Sequence, residues 1–340
     1  MKILKMLFFL ILTPYLFSEL SIIKRFTIET SVDSNSRPRL FHVNPPIYIY
    51  EGFNKDLIVP HDTYFEVFDN NGNFKKRIGG FGKGPGDFTT IISIKTYHNQ
   101  LLIQDHPNKI SFFNKDYTFN KRIFFGGVDC SNFIDYFDVL RDKIYCSQKS
   151  YLDEKIRAIR VYNLNGKFIK SFFDYKLGTK FYPEFNLIHG KIVIQTNHIY
   201  YAFQSIPRLW QLDLDGDVIK FIDFGADNWK KIYYSKSDFA KEKKEKGKIA
   251  LVNLILSGDY IYQLRKWKSN IVVHIIRDGL EENPINCFLV IDKQLKKASP
   301  IILRKGYSFS GAGKYIYLTK ESRSNSKQKI CEVLVCELKF

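Results

Sequence analysis

Three groups of residues have types and spacings that could do chemistry. The first is RIGGFGKGPGDF, Arg77 to Phe88, which packs five glycines and a proline into twelve residues. A phosphate-cradling loop of the G-x-x-x-x-G-K-[ST] type needs a hydroxyl directly after its lysine, but Gly84 follows Lys83. The spacing Gly82-x-Gly84-x-Gly86 is not G-x-G-x-x-G, and the next segment, IISIKTYH, reads as a strand where both motifs require a helix N-terminus. The second group is LDLDGDV, 212–218, with Asp213, Asp215 and Asp217 at calcium-loop spacing. Val218 and Phe224 occupy the places of the required glycine and glutamate, so a hairpin turn explains the carboxylates better. The third group is seven histidines: His42, His61, His98, His106, His189, His198 and His274. None stands in H-x-x-x-H or H-E-x-x-H spacing, and no G-x-S-x-G elbow offers a serine nucleophile. The expectation is therefore no catalytic residue, no metal and no cofactor.

Cysteines add little. Cys130, Cys146, Cys287, Cys331 and Cys336 include no C-x-x-C pair, which removes support for a zinc or thioredoxin-type site. Cys331 and Cys336 are five apart, so in one strand they face opposite sides and are poor partners for each other. Buried structural thiols are the expectation.

Aromatic rings remain as ligand-binding candidates. Tyr200, Tyr201, Trp229, Tyr233, Tyr234 and Trp267 fall in what read as long loops between strands, where rings over a concave face suit sugars or peptides. The competing reading is that such rings, at alternate strand positions, pack sheet against sheet.

The elements that must position these residues are strands. Aromatic content is 16%, with 30 Phe and 21 Tyr, and short runs rich in Ile, Val, Tyr and Phe are bounded by Gly, Asn and Asp. FEVFDNNGNFKKRI (65–78), RVYNLNGKFIKSF (160–172) and WQLDLDGDVIKFI (210–222) are copies of one hairpin, each turning at Asn-Gly or Asp-Gly. Those dipeptides supply the positive φ that tight hairpin turns need. Gly166 and Gly216 stand 50 residues apart and Gly72 and Gly166 stand 94 apart, so a copy belongs midway. KISFFNKDYTFNKRIFF, 109–125, is that copy; NCFLVIDKQLKKASPIIL (286–303) is a fifth, and ICEVLVCELKF (330–340) a sixth without its last strand. Two further apolar runs precede each hairpin, such as IISIKTYH and QLLIQDH, FIDYFDVL and KIYCSQ, or EFNLIHG and KIVIQTN.

Four strands per unit at this period predict a six-bladed β-propeller, all-β and in one domain over residues 19–340. SIIKRFTIET, 21–30, alternates as a strand should and is expected to close the ring beside the C-terminal strand, removing two open edges. SKSDFAKEKKEKGK, 235–248, has helical composition and reads as a short helical insertion between blades four and five.

Partners and location follow from charge and the N-terminus. Lys and Arg number 52 against 35 acids, a formal charge of +17. The bases are scattered, the densest run KEKKEKGK carries its own glutamates, and no recognition helix or RNA-binding signature accompanies them, so nucleic acid is not the expected partner. MKILK followed by MLFFLILTPYLF has the layout of a secretory signal peptide over residues 1–18, too short to span a bilayer comfortably. An extracytoplasmic, monomeric protein without an integral membrane segment is expected.

The glycine-rich stretch also carries a resemblance. Gly82, Gly84, Pro85, Gly86, Asp87 and Phe88 resemble the crossing between blades of NHL-like six-bladed propellers, particularly the secreted "6-bladed β-propeller" proteins of bacteria. LLIQDHPNKISFFNKD, 101–116, is similar to the NHL core pattern, with Ile103, Asp105, Asn108, Ile110 and Phe113 in its places. Thr89-Thr90 departs from that family by replacing the proline often found after the Phe. The resemblance implies that Asp105 and Asn108 tie the turn between second and third strands, a structural task. It also implies an alternative function. NHL-like lyases bring one histidine per blade to the axis, and His61, His106, His189 and His198 could supply such a metal or base site. The reading favoured by the residues is an exported, non-catalytic binding or scaffold module for a glycan, peptide or protein at the loop-rich face of the channel.

Overall fold

The computed structural model describes residues 19–31, 47–106, 108–125, 133–149, 157–174, 190–204, 206–223, 244, 258–277, 285–292, 298–303, 307–324 and 328–339. The signal segment 1–18, Trp229, Tyr233, Tyr234, and the 235–248 insertion apart from Lys244 lie outside these residues.

The hairpin turns behave as their sequences dictate. Gly72, Gly166 and Gly216 take φ of 88°, 81° and 103°. The residue that opens each turn also uses its side chain on the turn's own backbone: Asp69 accepts from the N–H groups of Asn71 and Asn73, Asn163 from Asn165 and Lys167, and Asp213 from Asp215, Gly216 and Asp217. Asp213 of LDLDGDV is thus held by its own turn, and Asp215 pairs with Lys170 at 2.7 Å. In blade two, Tyr117 stands where the others have glycine, at φ 66°.

These hairpins supply the outer halves of blades one to four in a ring of six four-stranded antiparallel sheets. Blade one runs Tyr50–Glu51, Leu57–Pro60, Phe65–Phe68, Phe74–Ile78, and blade two Ile91–Tyr97, Gln100–Asp105, Lys109–Asn114, Phe119–Phe124. Blade three runs Phe133–Leu140, Lys143–Lys149, Arg157–Asn163, Phe168–Asp174. Blade four runs Gly190–Gln195, His198–Phe203, Arg208–Leu212, Val218–Asp223, and blade five Tyr260–Trp267, Asn270–Arg277, Ile285–Ile291, Ala298–Ile302. Blade six takes Ser308–Ala312, Ile316–Ser324 and Gln328–Lys339 from the C-terminal region and its outermost strand, Glu19–Ser31, from the N-terminal region. The ring is closed as expected.

The core is distributed as six apolar seams, one at each junction between neighbouring blades. Alternation explains this: a strand buried on both faces sends successive side chains to the two adjacent junctions. Cys331 and Cys336 follow the same rule, Cys331 entering the seam with blade one and Cys336 the seam with blade five. Both are buried free thiols, and burial pushes Cys336 up to about 11.

Blade four corrects the sequence reading. EFNLIHG was expected as its innermost strand, but Gly190–Gln195 takes that place, and a two-residue turn with Thr196 at φ 54° leads directly into His198–Phe203. Tyr200 and Tyr201 therefore lie in the second strand, not in a loop, and are fully buried. Tyr200 points into the seam with blade five and Tyr201 into the seam with blade three. Trp267 is the last residue of the inner strand of blade five, 1% exposed against Phe288 and Phe309 of the seam with blade six. These three rings are packing, because each occupies an apolar alternate position.

Candidate functional site in the axial channel

The glycine-rich crossing is a closed knot. Phe88 N–H donates to the Gly80 carbonyl at 2.8 Å, Gly82 N–H to the Phe88 carbonyl at 3.3 Å, and Asp87 N–H to the Gly84 carbonyl at 3.1 Å. The backbone N–H groups of Gly82, Asp87 and Phe88 are thereby occupied within the crossing itself. A side chain on Gly82 or Gly84 would meet the Asp87 carboxylate at 2.8 or 2.7 Å, and Gly86 takes φ 82° after Pro85. Phe88 is buried against Phe65 and Phe113. Asp105 accepts from the N–H groups of Thr89 and Thr90 at 2.9 and 2.7 Å and pairs with Lys109 at 2.6 Å. The Asn108 side-chain Oδ1 accepts from Ile134 N–H at 2.9 Å. These two side chains thus fasten the start of their own blade's inner strand and of the next blade's.

The described histidines are dispersed. His61 lies beside Glu66 at 3.2 Å and stacks on Tyr64, and His274 is buried in blade five against Tyr262 and Phe309. His98 and His106 are in turns, His198 opens a strand after one, and His42 and His189 lie outside the described residues. No group of three or more His, Cys, Asp or Glu that could hold a metal occurs among the described residues.

Polar chemistry gathers instead on the axis, where the inner strands of the blades meet. The inner strands of blades two to five all end in two-residue turns opening at a positive-φ residue: His98, Arg141, Thr196 and Lys268. Such turns fix register, so positions counted back from them form layers across the ring. The fifth position before the turn gives Ser93, Tyr136, Lys191 and Gln263. The third gives Lys95, Asp138, Val193 and Arg265. With Tyr50 of blade one, Ile192 and Leu264, residues of these two layers line a small cavity of about 10 Å³. That is room for about one water molecule.

Asp138 organises one side of this waist. Its Oδ2 accepts from Ile194 N–H of blade four at 2.7 Å and lies 3.1 Å from Lys266 Nζ of blade five and 3.8 Å from Lys95 Nζ of blade two. Burial pushes the Asp138 carboxyl up, but Lys95, Lys266 and the Ile194 N–H together hold it below the usual carboxylate value. Burial, with smaller contributions from Lys266 and Arg265, lowers Lys95 to about 8 against the pull of Asp138. Arg265 lies 4.1 Å over the Tyr50 ring and donates to Gln263 Oε1 at 3.0 Å. Lys191 lies 3.9 Å over the Tyr136 ring. Four blades thus contribute charged side chains to one small volume, and none of these residues stood out in the sequence. Their signal was positional: a polar residue third or fifth before each inner-strand turn.

Six four-stranded sheets radiating from such an axis define a six-bladed β-propeller with a charged channel. Comparison with known proteins agrees: the chain belongs to the family described as 6-bladed beta-propeller, which matches residues 47–322. Among solved structures it is similar to a "Putative exported protein" from Bacteroides fragilis NCTC 9343, with a TM-score of 0.63, 14% identity, and coverage of 94% of this chain and 96% of that one. It is also similar to a member of the duf4221 family from Bacteroides vulgatus ATCC 8482, with a TM-score of 0.59, 9% identity, and coverage of 94% and 98%. Likeness at these identities establishes the fold. No curated protein matches. Among the described residues, no helix is long and apolar enough to cross a membrane.

Proposed function

We propose that this protein is an exported propeller that binds a glycan, peptide or protein ligand at the mouth of its central channel and performs no chemistry of its own. The observation that carries this reading is the axial pair of layers. Side chains on the seams are overwhelmingly apolar, yet Ser93, Lys95, Tyr136, Asp138, Lys191, Gln263 and Arg265 converge where the blades leave a gap. A few convergent polar groups in a concave site are the usual mark of ligand recognition. Export is supported by the basic-then-apolar N-terminal layout and by the likeness in fold to the "Putative exported protein" from Bacteroides fragilis. The test is a thermal-shift screen of the purified protein with glycans, peptides, divalent metals and a chelator. A ligand that binds only the folded state raises the melting temperature by mass action. Stabilisation by a glycan or peptide that is lost when Ile192, at the cavity wall, is replaced by Trp supports the reading. Destabilisation by chelator with rescue by one metal would replace it with a metal enzyme.

A further inference from the structure

We propose that the outer strands fasten the blades to one another through a lysine set behind a β-bulge, each lysine latching the hairpin turn of the next blade in one direction round the ring. The inference is independent of what the channel binds.

The placement is the same on five of the six outer strands. Pairing with the third strand of the blade slips by one residue at Ile23, Lys75, Asn120, Ile169 and Ile219, and the residue that follows is Lys24, Lys76, Lys121, Lys170 or Lys220. One extra residue bends a strand and re-aims the side chains beside it. The slipped residue is exposed in every case, and the lysine after it is half-buried.

The lysines reach forward. Lys24 of blade six donates to the Asn70 carbonyl and, at 2.8 Å, to Asn71 Oδ1 in the turn of blade one. Lys76 of blade one donates to the Asp116 carbonyl in the turn of blade two. Lys121 of blade two donates to the Leu164 carbonyl at 3.1 Å and to Asn165 Oδ1 at 3.3 Å in blade three. Lys170 of blade three donates to Asp215 Oδ1 at 2.7 Å in blade four. Each of these ammonium groups also lies between 4.9 and 5.5 Å from the centre of an aromatic ring. Lys220 holds the same register place on blade four, and the turn of blade five, 293–297, lies outside the described residues.

Blade five supplies the exception that carries the argument. The blade after it, six, has no hairpin turn at this place, because its third strand comes from the C-terminal region and its fourth from the N-terminal region. Ala298–Ile302 pairs with Cys287–Ile291 without a bulge, and Ser299 stands at the lysine's register position. Bulge and lysine are thus missing together where there is no turn to hold. The closing strand carries both, although it comes from the far end of the chain, and blade one does offer it a turn. Edge lysines and bulges also guard sheets against edge-to-edge pairing, but that task does not require the ammonium to be aimed at the neighbouring turn. Each bond is modest on its own. Their common direction makes the order of a turn depend on the blade before it.

Hydrogen exchange of the purified protein, read by mass spectrometry, tests this. In blade three, Gly166 N–H donates to the Asn163 carbonyl, and the N–H groups of Asn165 and Lys167 donate to Asn163 Oδ1. Lys121→Met should speed exchange over residues 163–167 by about threefold or more, the factor for losing one modest hydrogen bond, and leave blade two's own turn, 114–118, unchanged. Lys170→Met should do the same at 213–217 and spare 163–167. A variant with Lys24, Lys76, Lys121 and Lys170 all replaced by methionine should speed exchange in the turns of blades one to four. Unchanged exchange in all four turns of that variant overturns the inference, as does faster exchange confined to a lysine's own turn. If the fourfold variant forms oligomers by light scattering while its turns exchange as before, the lysines guard the edges and the latch falls.

Discussion

Tyr117 shows how one residue can break a repeat rule and be kept by its contacts. The other three hairpins use glycine at the corresponding positive-φ position, which costs a side-chain residue about 1–2 kcal/mol. The Tyr117 hydroxyl donates to Asp56 Oδ2 at 3.0 Å and accepts from Phe53 N–H at 3.2 Å, while its ring packs in the seam between blades one and two. Burial, with the Asp56 charge, pushes its hydroxyl far up, so it stays protonated as a donor. Tyr117→Phe leaves the strain and removes both bonds. A loss of about 1–3 kcal/mol is expected, read as a lower denaturant midpoint with unchanged slope. A neutral outcome would mean that Lys75, 2.9 Å from Asp56, satisfies that carboxylate alone. Gly190 is the converse case: a Cβ there would meet the Tyr201 hydroxyl at 1.8 Å. Gly190→Ala should destabilise by about 1–3 kcal/mol as overpacking does, and Gly190→Ala with Tyr201→Phe should recover part of that loss in the same unfolding measurement.

Among elements, the closing strand carries the clearest consequence. Glu19–Ser31 pairs with Gln328–Lys339 over nearly its whole length, and Thr30 donates at 2.6 Å to Glu66 of blade one, which Arg77 and His61 also engage. On the other edge of the junction, Glu51 of blade one accepts from Lys314 N–H, Tyr315 N–H and the Tyr317 hydroxyl of blade six. Ile28, 1% exposed, fills the seam between them. Ile28→Ala should cost about 2–5 kcal/mol, measured by urea unfolding. Removing residues through Ser31 bares the Gln328–Lys339 edge, and oligomers paired through that edge are expected by light scattering; addition of a peptide of residues 19–31 should reverse them. Persistence of a monomer of unchanged melting temperature would show the strand to be dispensable.

The elements were largely legible because their signals are local. Asn-Gly and Asp-Gly turns, their spacing, and the alternation of 21–30 reach no further than a hairpin, and they located six blades and the closing strand. Blade four slipped by one strand because EFNLIHG, KIVIQTN and HIYYAF are all short apolar runs, and nothing local says which two are innermost. That slip carried Tyr200 and Tyr201 into a loop. The axial site was illegible for a different reason. Lys95, Asp138, Lys191 and Arg265 lie tens of residues apart in a chain with bases everywhere, and they become neighbours only when the ring closes.

At the scale of the whole molecule, that convergence ties the stability of the ring to pH. Lys95 is lowered from the usual 10.5 to about 8, chiefly by burial, with Lys266 and Arg265 adding to the effect and Asp138 opposing it. Between these values the unfolded chain holds a proton that the folded protein has released. The unfolded state therefore binds more protons, and the contribution of Lys95 to stability rises with pH from about 8 to about 10.5. The full difference is on the order of 3 kcal/mol. Other lysines titrate near the upper end, so the measurement is a difference: unfolding free energy of wild type minus Lys95→Met, by urea denaturation from pH 7 to pH 10. The gap should move in favour of wild type as pH rises, since the variant carries no proton to lose. A pH-independent gap would place the Lys95 ammonium in contact with water and weaken the view of the waist as a closed, cation-rich volume.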